Sequence, residues 1–170
     1  RFPVCRRGTA ASVPHAKYGQ SRDAGTIVQR AGNPDSRQSV DVIRTVDGDT
    51  FIARVHQRDG RDLVARVRLR GIDAPEYMQT CRKDATDYPC GKLARQSLVR
   101  LIAGRAVSCS GWQHDRYGRL LGDCKAGDTD LNRTQVATGW AVAFGDFETE
   151  EAVARAGKAG IWAGTFDEPQ

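Results

Sequence analysis

The sequence contains no apolar run near the roughly 18 residues that a membrane-spanning helix needs, so no such span is predicted. It has no CxxC pair, and its three histidines lie at no zinc-ligand spacing from the cysteines or from one another. These absences argue against a structural zinc site. The 170 residues, 39% of them hydrophobic and 28% charged, are sufficient for one domain with a hydrophobic core.

The charge of the chain is distributed unevenly. Residues 1–39 hold seven basic and two acidic residues, few large apolar ones and no helical or strand period, which predicts a flexible basic tail or linker. Residues 40–170 are expected to form the folded domain. Within it, residues 44–119 carry 15 basic and 9 acidic residues, whereas residues 120–170 carry 4 and 9. The basic half is the part that favours a polyanionic partner.

The spacing of apolar residues predicts a mainly β domain. Apolar and polar residues alternate around turns at Asp47-Gly48 and Asp59-Gly60, as in an antiparallel meander. The predicted elements, in the order βββ-α-ββ-α-α, are strands over residues 40–46, 50–55 and 63–70, a helix over 91–103, strands over 105–110 and 118–124, and helices over 130–138 and 147–157. Five strands with a helix after the third predict an α+β fold, an OB-type five-stranded barrel with three helices.

Four of the five cysteines fall into two local pairs. Cys81 and Cys90 bracket a short polar segment, and Cys109 and Cys124 flank the later predicted hairpin. A disulfide in each pair would contribute about 2–4 kcal/mol and would indicate an oxidising compartment, periplasmic or extracellular. The alternative is four buried or inert thiols in a cytosolic protein. Cys5 is left over in the predicted tail.

Two aspartates lie where predicted strands end. Asp49 is part of the sequence VDGDT, and Asp73 is part of VRLRGIDAPE. An Asp-Gly turn by itself needs no function, but these two carboxylates are placed to converge as oxygen ligands of a cation. Ca²⁺ prefers such carboxylates together with a backbone carbonyl and several waters.

Two arginines accompany these carboxylates. Arg68 lies shortly before Asp73, and Arg119 closes the sequence DRYGR at the predicted turn of the later hairpin. A guanidinium presents a rigid fork of donors that matches phosphate oxygens and stays charged near neutral pH. Phosphodiester hydrolysis needs such cations to neutralise developing charge, and a carboxylate to activate water.

The motifs VDGDT, VRLRGIDAPE and DRYGR, in this order, resemble the signature of the staphylococcal nuclease (thermonuclease) family. LNRTQVATGWA and KAGIW extend the resemblance, which covers about residues 40–163. It implies an endonuclease that cleaves DNA and RNA, leaves 3′-phosphate products, prefers single strands and acts as a monomer. The loop between Cys81 and Cys90 resembles an addition found in secreted or periplasmic bacterial members.

The resemblance assigns roles by position. Arg68 and Arg119 match the two catalytic arginines, and Glu76 matches the carboxylate that acts as general base towards the attacking water. Arg116 and Tyr117 match positions near a nucleotide phosphate and are the expected substrate contacts. The aromatic residue that stacks on a base is left open among Tyr77, Tyr117 and Phe144.

A calcium site is implied in the same way. Its expected ligands are Asp49, Asp73 and the backbone carbonyl of Ala74, a position where the type enzyme has threonine. Asp47 is the expected carboxylate behind these ligands.

Two other functions compete with the nuclease. One is a nucleic-acid-binding module on the same fold with little or no cleavage activity, because OB-type barrels bind single strands without cutting them. The other is a disulfide-stabilised extracellular domain that binds a protein partner. The presence of all five catalytic and metal side chains favours the nuclease over the binding module.

Overall fold

A computed structural model describes residues 36–167; residues 1–35, which include Cys5 and most of the predicted tail, and residues 168–170 lie outside the described residues. The elements are β1 (Gln38–Thr45), β2 (Thr50–His56), β3 (Asp62–Leu69), β4 (Ile72–Asp73), β5 (Cys81–Lys83), β6 (Thr86–Tyr88), α1 (Cys90–Ile102), β7 (Val107–His114), β8 (Leu120–Ala126), β9 (Thr129–Asp130), α2 (Leu131–Ala137), β10 (Val142–Ala143), α3 (Glu148–Ala156) and a 3₁₀ turn (Gly160–Ala163). None of the helices in this described part has the length and apolar character needed to cross a bilayer.

Five of the strands close into a barrel. Their order is β3-β2-β1-β7-β8, and a parallel pairing of β3 with β8 joins the two ends. The other neighbouring pairs are antiparallel. This is the strand order of an OB-type barrel, and together with the three helices it confirms the predicted α+β fold.

The barrel interior follows the alternation of side chains along each strand. Phe51, Ala53 and Val55 of β2 are fully buried, as are Val67 and Leu69 of β3. The residues that alternate with these two in β3 are arginines: Arg66 is exposed, and Arg68 is partly buried. This two-residue period is the feature that allowed the strands to be predicted.

The structure also contains strands that were not predicted. β4 pairs with β10, and β9 pairs with β8; β4, β9 and β10 have two residues each. β5 and β6 pair with each other and have three residues each. Such strands are too short to show a period in the sequence. β1 begins at Gln38, two residues earlier than predicted, and β7 continues to His114 rather than ending at residue 110.

Both predicted disulfides are present. Cys81 and Cys90 close the β5–β6 hairpin with a Cα–Cα distance of 5.6 Å, and Cys109 and Cys124 are directly paired across β7 and β8 at 4.1 Å. The first disulfide is part of a small core with Ile161, against which Tyr88, Trp140, Val142, Trp162 and Phe166 pack.

Candidate active site

The barrel brings three sequence-distant segments to one place. Thr50, the first residue of β2, pairs with Arg68 near the end of β3. Asp49 therefore lies beside this end of β3, and its carbonyl accepts a 2.8 Å hydrogen bond from the amide of Leu69. β4 follows β3 after a tight turn and delivers Asp73 to the same region.

Arg68 binds both aspartates that are predicted as metal ligands. Its Nη1 donates to Oδ1 of Asp49 at 3.1 Å, and its Nη2 donates to Oδ1 of Asp73 at 2.7 Å. Oδ1 of Asp49 also accepts from the hydroxyl of Thr50 at 2.7 Å, and Oδ2 accepts from the amide of Ala74 at the same distance. Four of the residues expected in the site are thus in direct contact: Asp49, Arg68, Asp73 and Ala74.

Burial sets the electrostatics of these groups. Burial raises the pKa of Asp49 to about 7; the Arg68 charge opposes this rise, and the Asp47 charge adds to it. Burial likewise raises the pKa of Asp73 against the opposing effects of Arg68 and Arg119. Burial disfavours the charged form of Arg68, yet the two aspartates hold its pKa above the usual value. The single positive charge of Arg68 therefore does not balance the two negative charges that Asp49 and Asp73 carry when both are ionised.

The donor set fits a hard cation. Asp49 and Asp73 are almost inaccessible to solvent, and among residues 36–167 nothing donates a hydrogen bond to Oδ2 of Asp73. Buried carboxylates are stable only when they are paired or coordinate a metal. The described residues contain no cluster of three or more His, Cys, Asp or Glu side chains suited to a metal. A cation here would therefore complete its coordination with backbone oxygen and water, as Ca²⁺ commonly does.

The structure keeps the Glu76 side chain apart from this contact network. Glu76 lies just beyond β4, is exposed, and makes no side-chain hydrogen bond or ion pair to residues 36–167. Its main chain is nevertheless well fixed, because its carbonyl accepts from the amide of Gln79 at 2.8 Å. It also packs so tightly on Gly91 that a Cβ at that glycine would overlap the carbonyl oxygen.

Arg119 is held by the turn between β7 and β8. Its Nε donates to Oδ2 of Asp115 at 2.6 Å, and its amide donates to Oδ1 at 2.9 Å. Although burial acts in the opposite direction, these bonds and one from the Tyr117 amide lower the pKa of Asp115. The Arg119 charge also opposes the rise in the pKa of Asp73 that burial causes.

The two expected substrate contacts project from the same turn. Tyr117 is 67% exposed, and its ring lies 4.8 Å from the Arg116 guanidinium carbon and 5.4 Å from that of Arg119. An exposed aromatic ring close to two guanidinium groups is suited to contact a base and its phosphates.

Comparison with known protein families matches residues 66–164 to the family described as staphylococcal nuclease homologue. The chain belongs to the staphylococcal nuclease family. It is accordingly a hydrolytic nuclease. Arg68, Asp73, Glu76 and Arg119 lie within the matched range, whereas Asp49 precedes it.

Individual relatives support the same membership, and two of the three described next have nuclease names. An Escherichia coli O157:H7 protein named "Uncharacterized endonuclease" is 35% identical over 129 residues, which cover 72% of this chain and 75% of the relative. A protein of Oryza sativa subsp. japonica, "Probable staphylococcal-like nuclease CAN1", is 27% identical over 161 residues, which cover 84% of this chain and 46% of the relative. "Succinoglycan biosynthesis protein ExoI" of Rhizobium meliloti is 37% identical over 105 residues, 57% of this chain and 55% of the relative.

One residue that supports the candidate active site of this staphylococcal nuclease family member was not identified from the sequence. Gln135 on α2 is fully buried, and its Nε2 donates to the carbonyls of Gly48 at 2.6 Å and Ala94 at 3.2 Å. Its Oε1 accepts from the hydroxyl of Ser97 at 2.7 Å. Gln135 therefore ties the turn that carries Asp49 to helix α1. One signal was present in the sequence, since Gln135 lies within LNRTQVATGWA, a segment that extends the family resemblance but to which no role was assigned.

Proposed function

We propose that the chain is a Ca²⁺-dependent endonuclease that hydrolyses phosphodiester bonds of both DNA and RNA, prefers single strands and acts as a monomer. The observation that carries this proposal is the binding of Arg68 to two buried carboxylates at once. This arrangement places a guanidinium that can bind a phosphate beside two carboxylates that can hold a cation. Together they can balance the negative charge that develops on the phosphodiester during hydrolysis.

The arginines are proposed to act on the phosphate. Arg68 and Arg119 donate to the non-bridging oxygens, and because both guanidinium groups are already fixed by carboxylates, little reorganisation accompanies the reaction. The added negative charge of the five-coordinate phosphorus strengthens these bonds in the transition state relative to the ground state.

Glu76 is proposed as the general base. Its exposed carboxylate has no protein partner in the described residues, so it is available to accept a proton from a water molecule. The water oxygen forms a bond to phosphorus as the bond to the 5′ oxygen breaks, and the departing 5′ oxygen takes a proton from solvent. The products are a 3′-phosphate and a 5′-hydroxyl.

Asp49, Asp73 and the carbonyl of Ala74 are the proposed calcium ligands. Bound there, Ca²⁺ would add positive charge next to the reacting phosphate. The chain's own contribution is to hold Asp49 in place through Thr50 and the Ala74 amide. Arg116 and Tyr117 are proposed to contact the neighbouring nucleotide.

A periplasmic or secreted location is part of the proposal. The two disulfides support it, because disulfides persist in oxidising compartments and are rare in reducing ones.

A cleavage assay tests the proposed function. Single-stranded DNA, duplex DNA and RNA are incubated with the purified chain in Ca²⁺ or in chelator, beside the isosteric variant Glu76→Gln. We expect cleavage in Ca²⁺ only, fastest on single strands, and a loss of about 10²–10⁴-fold in the variant. Binding of oligonucleotides without metal-dependent cleavage would instead identify a nucleic-acid-binding module.

A further inference from the structure

A second aromatic ring, that of Tyr77, follows Glu76 in the chain and lies close to two cationic groups. Tyr77 is 40% exposed, and its ring centroid lies 5.8 Å from Nζ of Lys92 and 5.8 Å from the guanidinium carbon of Arg95. Both distances are within the range of a cation–π contact. We refer to Tyr77, Lys92 and Arg95 as the Tyr77 cluster.

The positive charge of the Tyr77 cluster is not neutralised by the surrounding chain. Among residues 36–167, no carboxylate lies within 4 Å of either cationic group, whereas Arg82, Arg133 and Arg155 each have such a partner. Nε of Arg95 donates to the carbonyl of Thr45 at 2.9 Å, which fixes the guanidinium. Its two Nη nitrogens bind no residue of the described part and are available to an external anion.

The cluster is rigidly attached to the candidate active site. Tyr77 directly follows Glu76, so their Cα atoms are separated by about 3.8 Å. The carbonyls of both residues pack against Gly91, where any side chain would overlap them. Lys92 and Arg95 lie on the same helix, α1, as Gly91. The main chains that carry the ring and both cationic groups are therefore held in place relative to the main chain of Glu76.

We propose that the Tyr77 cluster is a nucleotide subsite for a single-stranded substrate, with a base stacked on Tyr77 and the adjoining phosphate bound by Lys92 and Arg95. An aromatic surface beside unneutralised cationic groups is the combination that binds single strands without strong sequence preference. The subsite rests on the proposed nuclease function, and it adds a nucleotide contact beyond Arg116 and Tyr117.

Binding measurements in a Glu76→Gln background test the subsite without cleavage. With fluorescein-labelled (dT)12 in Ca²⁺, anisotropy titration of Tyr77→Ala should give about five- to 150-fold weaker binding, the range for one base–aromatic stack. Tyr77→Phe retains the ring and should bind like the background protein. Met78→Ala changes the next exposed side chain and should also bind unchanged.

The salt dependence of binding provides an independent measurement. Lys92→Gln should reduce the slope of log affinity against log salt by about 0.7, the value for one phosphate contact on a single strand. Lys125→Gln removes an equally exposed charge from β8 and should leave that slope unchanged.

The outcomes separate the two proposals. If the wild-type chain cleaves DNA but Tyr77→Ala and Lys92→Gln bind (dT)12 as the background does, the subsite is wrong and the nuclease stands. If the wild-type chain does not cleave and both variants weaken binding as expected, the nuclease function is wrong and the subsite stands. Circular dichroism establishes that each variant is folded, and if Tyr77→Ala does not fold, the affinity and salt slope of Lys92→Gln decide the test.

Discussion

The side chains of Arg68 and Asp73 are joined by a 2.7 Å hydrogen bond that spans the turn between β3 and β4. The same guanidinium binds Asp49, which lies in the turn just before β2, the strand that pairs with β3. Only 15% of the Arg68 side chain is exposed, and the two carboxylates are more deeply buried still. Arg68 is therefore both a stabilising cation for the barrel and, in the proposed mechanism, a phosphate ligand.

Arg68→Ala should reduce both activity and stability. Removal of a transition-state donor is expected to lower kcat about 10²–10³-fold. Two buried carboxylates would lose their cation, which is expected to cost about 3–5 kcal/mol in the free energy of unfolding. Arg119→Ala should lower kcat similarly but cost about 1 kcal/mol or less, because its partner Asp115 lies in a turn at the surface. Urea unfolding and single-turnover kinetics measure both effects; equal stability loss in the two variants would contradict this distinction.

Calcium should stabilise the folded chain through Asp49. At about 100 times its Kd, a ligand that binds only the folded state adds about 2.7 kcal/mol to the free energy of unfolding. Asp49→Asn should lose this gain in stability. Lys125→Asn, which also replaces a charged residue by an uncharged one but lies in β8, should retain it. Thermal unfolding with and without Ca²⁺ measures the difference. Equal stabilisation of wild type and Asp49→Asn would remove Asp49 from the proposed ligands.

In chelator, Asp49 should make the protein less stable as pH rises. Burial raises its pKa from 3.8 to about 7, so between these values the folded state holds a proton that the unfolded state has lost. The stabilisation is complete below about pH 4 and is lost as pH rises through 7. Asp49→Asn does not titrate, so its stability relative to wild type should increase over that interval. A constant difference from pH 4 to 8 would contradict the raised pKa.

His56 should also make the free energy of unfolding depend on pH. Its Nε2 bonds to Asp41 at 2.8 Å and its Nδ1 to Asp62 at 2.9 Å, and these bonds raise its pKa above 6.5. The contribution to stability is therefore fully present below pH 6.5 and is lost as pH rises through the higher folded-state pKa. His56→Gln should be less stable than wild type at pH 6 and more nearly equal at pH 9, as measured by urea unfolding. His114→Gln, outside this pair of carboxylates, serves as the control.

Gln135→Leu should weaken calcium binding although Gln135 is not a proposed ligand. The substitution leaves the carbonyl of Gly48 without its donor and releases the turn that carries Asp49. We expect a loss of about 1–3 kcal/mol in stability and about tenfold in calcium affinity. Gln96→Leu, at an exposed position of α1, should change neither quantity. Isothermal titration calorimetry with Ca²⁺ measures the affinity, and a loss of stability alone would indicate a purely structural role.

Much of this organisation could be predicted from the sequence because it is local. The two-residue alternation that buries Val67 and Leu69 and exposes Arg66 is visible in the order of apolar and basic residues along β3. The disulfide between Cys109 and Cys124 followed from a hairpin whose turn was recognisable. The motif containing Asp49 and the one containing Asp73 are each short enough to be read without knowledge of the fold.

Other features depend on contacts that no local pattern records. The parallel pairing of β3 with β8 closes the barrel, and β4 exists only because β10 lies beside it. Gln135 was not assigned a role because its partners, Gly48 and Ala94, are distant in the sequence.

The sequence by itself determined the strand alternation, the disulfide pairs and the identity of the chemical groups, since these depend on residue type and spacing. The tertiary structure decided how those groups act on one another. Burial of Asp49 and Asp73 around a single guanidinium arises only when β2, β3 and β4 meet, and it is this burial that raises their pKa values. The proximity of Lys92 and Arg95 to Tyr77 likewise required helix α1 to pack against the segment that carries Glu76.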